Sequence, residues 1–223
     1  LKKGKIAVGD AVEQRIDETK RHKTAINHSA TYLMHQSLRD TLGNHVEQKG
    51  SLVTEDYLRF DFSHNKALSN KEIEDIENQV ASEISKSIDT ESRNMNFKEA
   101  MKLGARAFFD EKYGDEVRVI FIGSNSIELC GGTHVLNTRD IGLFKIISES
   151  SISTGVRRIE AITSEKANIF FNDLHAESKS LSQHLNVKSD KITDKIISMK
   201  KESNDNKKLI SSLNKKIAQL YYS

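Results

Sequence analysis

The spacing of apolar residues along the chain predicts a long helix near its beginning. From 19 to 42 apolar side chains recur every three or four residues, as on one face of an α-helix. Gly43 directly follows the last of them, and glycine is a common helix stop. The apolar positions include Ala25, Leu33, Leu38 and Leu42.

Two further helices are predicted downstream. Ser69 can cap a helix whose apolar stripe faces a core, since its members recur at helical spacing. The stripe comprises Ile73, Ile76, Val80, Ile84 and Ile88. A second helix is expected from Asn96 to about Tyr113, before Gly114.

The remaining central segments have the pattern of strands. After a loop that begins at Gly50, residues 57–62 alternate between apolar and polar, with Arg59 and Asp61 on one face. Short connections between the later strands suit antiparallel neighbours with one face against helices. These strands are 117–122, 126–130, 142–149 and 156–163. The predicted fold class is α+β, an antiparallel sheet packed with helices.

The two ends of the chain differ from this centre. Residues 5–12 form a strand, turn and strand pattern around Gly9, and two strands cannot bury a core alone. We therefore interpret residues 1–18 as the tail of a preceding β-barrel. Because the chain begins with Leu1, we expect it to be part of a longer protein.

Residues 165–223 contain neither glycine nor proline and predict a long helical arm. From Ile192 to Leu220 apolar residues alternate spacings of four and three, a heptad seam with two polar breaks. The seam could close as a hairpin or support self-association with another chain. From Lys188 onward nine lysines and four acidic residues give a local charge of +5, which could lie along phosphates or simply be solvated.

Composition limits the compartment and the function classes. The chain has 223 residues and a net charge of +2, and it contains no apolar run long enough to span a bilayer, so no membrane is expected. A single cysteine cannot form an internal disulfide, which suits a cytoplasmic location. No segment resembles a nucleotide-binding loop.

That single cysteine lies in the motif with the clearest chemistry. Cys130 and His134 are separated by three residues, and a thiolate and an imidazole at this spacing can hold one zinc ion if the turn is tight. Gly131 and Gly132 permit such a turn. By itself the pair is weak evidence, because a lone cysteine before a turn is more often a small buried apolar residue than a metal ligand. The other candidate, His28, lies on the first predicted helix, where position 32 shares its face.

Four blocks of sequence follow one another along the chain: HSATYLMH from His28, LGNHVEQKGSLV from Leu42, LRFDF from Leu58 and ELCGGTH from Glu128. In this order they resemble the editing domain of alanyl-tRNA synthetase. That domain is related to the free-standing alanyl-tRNA trans-editing proteins and to the editing domain of threonyl-tRNA synthetase. The resemblance covers nearly the whole chain and assigns residues 19–164 to the editing domain and 165–223 to the start of a C-terminal domain.

The resemblance implies a function and a site. The expected activity is hydrolysis of the ester of tRNA(Ala) mischarged with serine or glycine, at a Zn²⁺ held by His28, Cys130 and His134. Gln48 is the expected catalytic and substrate-binding residue besides Cys130, and Thr133 is expected to add a contact to the substrate. The parent enzyme would attach alanine to tRNA(Ala) with ATP.

Tyr32 departs from the family, which has histidine at this position, and a phenol is a poor zinc ligand at neutral pH. The tyrosine could leave a water in its place, ligate weakly, or mark the loss of metal and proofreading together; we favour the first. One alternative function, which follows from Tyr32, is an editing-impaired tRNA-binding fragment. The other alternative is a free-standing trans-editing protein. His22 and His35 are interpreted as solvated or capping histidines.

Overall fold

The computed structural model describes residues 4–5, 7–106 and 113–221. The chain divides into two compact units, Leu1–Asn168 and Ile169–Ser223. The first unit combines helices with antiparallel sheets and confirms the predicted α+β class. The helices are α1 (Glu18–Leu42), α2 (Asn70–Ser85), α3 (Phe97–Lys102), α4 (Ser164–Leu185) and α5 (Ile192–Tyr221). The strands are β1 (Gln48–Val53), β2 (Leu58–Ser63), β3 (Glu91–Asn96), β4 (Glu116–Ile122), β5 (Ser126–Leu129), β6 (Phe144–Ser153) and β7 (Val156–Thr163).

Helix α1 is the central element of the first unit. Asp17 caps its first turn by accepting a hydrogen bond from the Lys20 N–H at 3.0 Å, and the Gly43 N–H donates to the Arg39 carbonyl at its end. The helix contacts α2 and strands of both sheets. Its long buried face includes several polar side chains, which therefore need partners inside the protein.

The strands form two antiparallel sheets rather than one. The larger sheet has the order β1-β2-β7-β6, and the smaller has the order β3-β4-β5. On the larger sheet Leu58, Phe60 and Phe62 are fully buried in the main core together with residues of α1 and α2. This confirms the alternation predicted for β2. The smaller sheet brings the end of β5 against α1.

Two segments differ from the sequence-based prediction in their secondary structure. The segment from Gly50 is a strand, β1, and not a loop, because it pairs with β2 as far as Val53. Strand β3 was not predicted, since its sequence ESRNMN has almost no apolar residue and pairs only with β4. An exposed edge strand carries no hydrophobic periodicity that a sequence pattern could reveal.

Two other predictions are partly wrong. The helix expected from Asn96 ends at Lys102, because Gly104 turns the chain at a φ of 83° and Arg106 forms a β-bridge with Glu128. The rest of that prediction, residues 107–112, lies outside the described residues. Helix α2 ends at Ser85, so Ile88 lies beyond it.

The predicted strands around Gly9 are also wrong for the residues that the structure describes there, 4–5 and 7–17. These residues form no strand and are exposed, because no sheet within the described residues offers them a partner. Ile6 lies outside the described residues. The assignment of residues 1–18 to a preceding barrel stays a prediction.

The described residues of the second unit form most of α4, a short 3-10 turn at Ser189–Lys191 and α5, and they include no strand. Helix α5 is 30 residues long and has no buried residue. Its apolar side chains, among them Ile196, Ile210 and Leu213, are about half exposed. Among the described residues no helix has the length and hydropathy that a membrane-spanning segment requires.

Candidate metal centre

Helix α1 and the turn after β5 bring three metal-binding side chains together. The His28 Nε2 lies 3.6 Å from the Cys130 Sγ, and the His134 Nε2 lies 3.4 Å from the same sulfur. All three donor atoms lie within 4.8 Å of one another. The two histidine rings have their centroids 4.2 Å apart. Residues separated by 102 positions in the sequence thus converge on one point.

The turn that carries Cys130 and His134 is held from two sides. The Gly132 N–H donates to the Cys130 Sγ at 3.2 Å, which closes the turn on itself. The Arg118 guanidinium of β4 donates to the carbonyls of Cys130 and Gly132, at 3.2 and 2.6 Å. A Cβ at Gly132 would lie only 2.5 Å from the His28 Cε1. The glycine is therefore needed here for close approach of the histidine ring.

Burial keeps both imidazoles neutral. It lowers the pKa of His134 to about 3, with smaller contributions from the charges of His28 and Arg118. Burial also lowers the pKa of His28, although a hydrogen bond to the Thr133 backbone opposes that shift. A neutral imidazole has a free lone pair, which is the form that binds a metal.

The donor set and its spacing fit a zinc ion. Zinc–sulfur bonds of about 2.3 Å and zinc–nitrogen bonds of about 2.0–2.1 Å place tetrahedral donors roughly 3.6 Å apart. The two sulfur–nitrogen distances, 3.6 and 3.4 Å, agree with that spacing. Two neutral imidazoles and a thiol are also the ligand types that zinc prefers. His28, Cys130 and His134 therefore remain together as the candidate metal ligands.

Tyr32 lies at the edge of this cluster. Its hydroxyl is 3.2 Å from the His28 Nε2, and its ring is stacked against the His134 ring with the two centroids 5.1 Å apart. The side chain is buried, and burial raises the pKa of the phenol far above its usual value, with help from Cys130. The tyrosine is thus a neutral phenol at neutral pH. Whether a water stands between it and a bound metal stays a prediction.

The two remaining predicted site residues lie on β1 and in the turn after β5. Thr133 is half-buried between Cys130 and His134, and its backbone is hydrogen-bonded to His28. Gln48 is the first residue of β1, partly buried and opposite Phe62 on the face that carries the core side chains of β2. Their roles toward a substrate stay predictions.

A residue that the sequence analysis missed lies behind the cluster. Ser29 is fully buried, and its hydroxyl is hydrogen-bonded to the His134 Nδ1 at 3.2 Å and to the Val135 N–H at 3.1 Å. In the sequence, only its position next to His28 indicates that Ser29 lies near the cluster. A serine on a helix face predicted to be apolar gave no reason to expect a partner on another segment.

A second polar cluster lies two turns further along α1. His35 is buried beside Phe60, so its interpretation as a solvated or capping histidine was wrong, whereas His22 is exposed as predicted. The His35 Nδ1 lies 3.9 Å from the Glu128 carboxylate, which accepts a hydrogen bond from the Arg106 guanidinium at 2.8 Å. This cluster joins α1 to β5 next to the candidate metal centre.

Comparison with known proteins places this site in a family context. Residues 117–160, which include Cys130 and His134, match the family model described as the threonyl and alanyl tRNA synthetase second additional domain. Alanine–tRNA ligases of Halorhodospira halophila and Clostridioides difficile are 47% and 44% identical to the chain over 98% of its length. That of Nitrosomonas europaea is 52% identical over 75% of the chain.

The matches cover the chain almost completely but each relative only in part. The chain spans about a quarter of the length of the first two of these relatives, 25%, and 19% of the third. Because the matches to the first two relatives cover 98% of the chain, they include most of both units. The chain is therefore homologous over nearly all its residues to a part of alanine–tRNA ligases, and its residues 117–160 are similar to the second additional domain of the threonyl and alanyl tRNA synthetases.

Proposed function

We propose that this chain is the editing part of an alanine–tRNA ligase and hydrolyses the ester of tRNA(Ala) mischarged with serine or glycine. The observation that carries the proposal is the convergence of His28, Cys130 and His134 at zinc spacing in a homologue of these ligases. The alanine ligation with ATP belongs, in this proposal, to the parent enzyme. We propose that the protein is located in the cytoplasm.

The residues of the site have distinct roles in this proposal. His28, Cys130 and His134 hold the zinc ion, which when bound supplies a Lewis acid for the ester or a fixed point that orients it. Gly132 lets the His28 ring approach the turn, and Arg118 fixes the turn through two carbonyls. Gln48 and Thr133 are proposed to contact the amino acid and to position the ester.

The chemistry of the substrate explains why a second site is useful. A synthetic pocket that accepts alanine rejects the smaller glycine poorly, and it gains little against a side chain that adds only a hydroxyl. A hydrolytic site with polar side chains recognises that hydroxyl directly. Gln48 and Thr133 both have the hydrogen-bonding groups for this task.

Timed release of serine from Ser-tRNA(Ala) tests the proposal. We expect the wild-type chain with zinc bound to release serine. Cys130→Ala removes one of the three proposed zinc ligands and should abolish this release. Gln48→Ala is expected to slow release while zinc content stays unchanged. Correctly charged Ala-tRNA(Ala) is the substrate control and should be hydrolysed much more slowly.

A second candidate follows from Tyr32, which stands where the family has histidine and contacts His28. In that case the chain is an editing-impaired tRNA-binding module. Release of serine at the rate in buffer alone, together with tRNA binding that weakens as salt increases, would support this candidate and contradict hydrolysis. Zinc-free protein without tRNA affinity would contradict both.

A further inference from the structure

The position of Ser29 sets it apart from the other hydroxyl residues on the buried face of α1. Thr31 and Ser37 both donate to the helix's own carbonyls, those of Asn27 and Leu33, four residues back. The Ser29 hydroxyl instead contacts two groups of the segment after β5, the His134 ring and the Val135 N–H. Ser29 is therefore a link between α1 and the turn that carries two of the candidate ligands.

The Ser29 oxygen can accept the ring N–H of His134. A hydroxyl oxygen has two lone pairs, and one of them accepts from the Val135 N–H at 3.1 Å. When a neutral His134 binds a metal through Nε2, its proton is on Nδ1, and the second lone pair of Ser29, 3.2 Å away, can accept it. The Nε2, which faces the Cys130 Sγ at 3.4 Å, then keeps its lone pair free.

We propose that Ser29 is a positioning residue of the metal centre, which holds His134 in the Nδ1–H tautomer with its Nε2 directed at the metal. The inference rests on the proposed zinc site and adds to it a residue outside the ligand set. Metal-bound histidines commonly donate their other ring N–H to such a partner, and its loss lowers metal affinity by about 10–100-fold. Since Ser29 is fully buried, it is not available to touch a substrate.

The test compares Ser29→Ala with Ser37→Ala in the whole 223-residue chain. Both serines lie on the buried face of α1, but within the described part of the chain Ser37 bonds to its own helix alone. Its loss is therefore a matched control for the removal of a buried hydroxyl. Zinc affinity is measured by competition with a chromophoric chelator. We expect a 10–100-fold loss in Ser29→Ala and an affinity close to wild type in Ser37→Ala.

The tautomer of His134 is the readout that a merely structural role would not change. In ¹⁵N-labelled, zinc-free wild-type protein we expect the Nδ1–H form of His134 to dominate, and in Ser29→Ala a mixture of both tautomers. If Ser29→Ala does not fold, the tautomer in the wild-type protein still decides, because a dominant Nε2–H form overturns the proposal.

The outcomes also separate this inference from the function on which it rests. A wild-type chain that binds no zinc contradicts the proposed metal centre itself. A wild-type chain that binds zinc while Ser29→Ala binds it equally well overturns only the role of Ser29. Equal losses in Ser29→Ala and Ser37→Ala would likewise assign the effect to helix stability and overturn that role.

Discussion

Two histidines on α1, His28 and His35, lie two helical turns apart and have opposite surroundings. Both rings are shielded from water, and burial lowers the pKa of each. His28 faces a sulfur and a second imidazole, with no carboxylate among its hydrogen-bond partners in the described residues. His35 faces the Glu128 carboxylate and, beyond it, the Arg106 guanidinium.

The difference shows how neighbours decide the role of a buried histidine. Around His35 the Arg106 guanidinium pairs with Glu128, although burial raises the pKa of that carboxyl to about 7, and the His35 Nε2 has no hydrogen-bond partner among the described residues. Around His28 three donor atoms point at one another, and a cation would bring them all into favourable contact. The first cluster is an internal ion pair, and the second is suited to metal binding.

Breaking the charged cluster should give the largest effect. Arg106→Ala leaves the Glu128 carboxylate, whose side chain is only 3% exposed, without its main partner. We expect the free energy of unfolding at pH 7 to fall by about 3 kcal/mol, as measured by urea denaturation. Arg15→Ala removes an exposed pair with Glu13 and is the matched control. Equal stability of the two variants would contradict a structural role for this cluster.

Gly132→Ala should affect the other cluster without removing a ligand. The added Cβ would lie 2.5 Å from the His28 Cε1 and must displace the ring, whereas a Cβ at Gly131 meets no atom within 4 Å. We expect zinc affinity to fall roughly 10–100-fold, the range seen when the support of a ligand is lost. Gly131→Ala is the control and should bind zinc like the wild type. Equal affinity of both variants would argue against His28 as a ligand.

The pH dependence of stability should report His35. Burial, the nearby Arg106 and Arg39 charges lower its pKa to about 3, although Glu128 also faces it and the Val46 backbone bonds to it. In the unfolded chain the His35 imidazole therefore binds a proton near pH 6.5, whereas in the folded protein it does not. The stability that depends on a neutral His35 should be lost as the pH falls from about 6.5 towards 3, by up to about 1.4 kcal/mol per pH unit. Glu128 opposes this change between about pH 7 and pH 4.5, because burial raises its pKa to about 7 and the folded protein then binds its proton more readily.

The variant His35→Gln isolates this contribution, because Glu128 and both arginines remain in place. Urea denaturation at pH 7 and pH 4.5 should show that the free energy of unfolding falls more, or rises less, in the wild type than in the variant. Parallel changes would mean that His35 titrates normally and that its burial does not keep it neutral.

Tyr32→His should have the smallest effect. It restores the residue type that the resembled family has at this position, beside His28, and replaces a phenol whose pKa is raised by burial with a better zinc ligand. We expect greater zinc retention on dialysis, by about tenfold in affinity or less, which is at most about 1.4 kcal/mol. Tyr32→Phe removes only the hydroxyl and should show no gain. Unchanged zinc content in Tyr32→His would count against the proposed site.

The sequence by itself determined the elements whose patterns are local. Helix α1 begins and ends within a residue of its prediction, because a cap, a helical apolar period and Gly43 act over a few neighbouring residues. The buried alternation of β2 and the apolar stripe of α2 were predicted for the same reason. The motif around Cys130 and the family resemblance also indicated which side chains to compare.

Only the tertiary structure decided which of these side chains meet. The pairing of polar β3 with β4, the burial of His35 beside Glu128 and the contact of Ser29 with His134 all join segments far apart in the sequence. The spacing of residues near Ser29 does not predict that residue 134 lies beside it. The partners of a buried polar group are set by how α1 packs against the end of β5, which is a property of the whole folded unit.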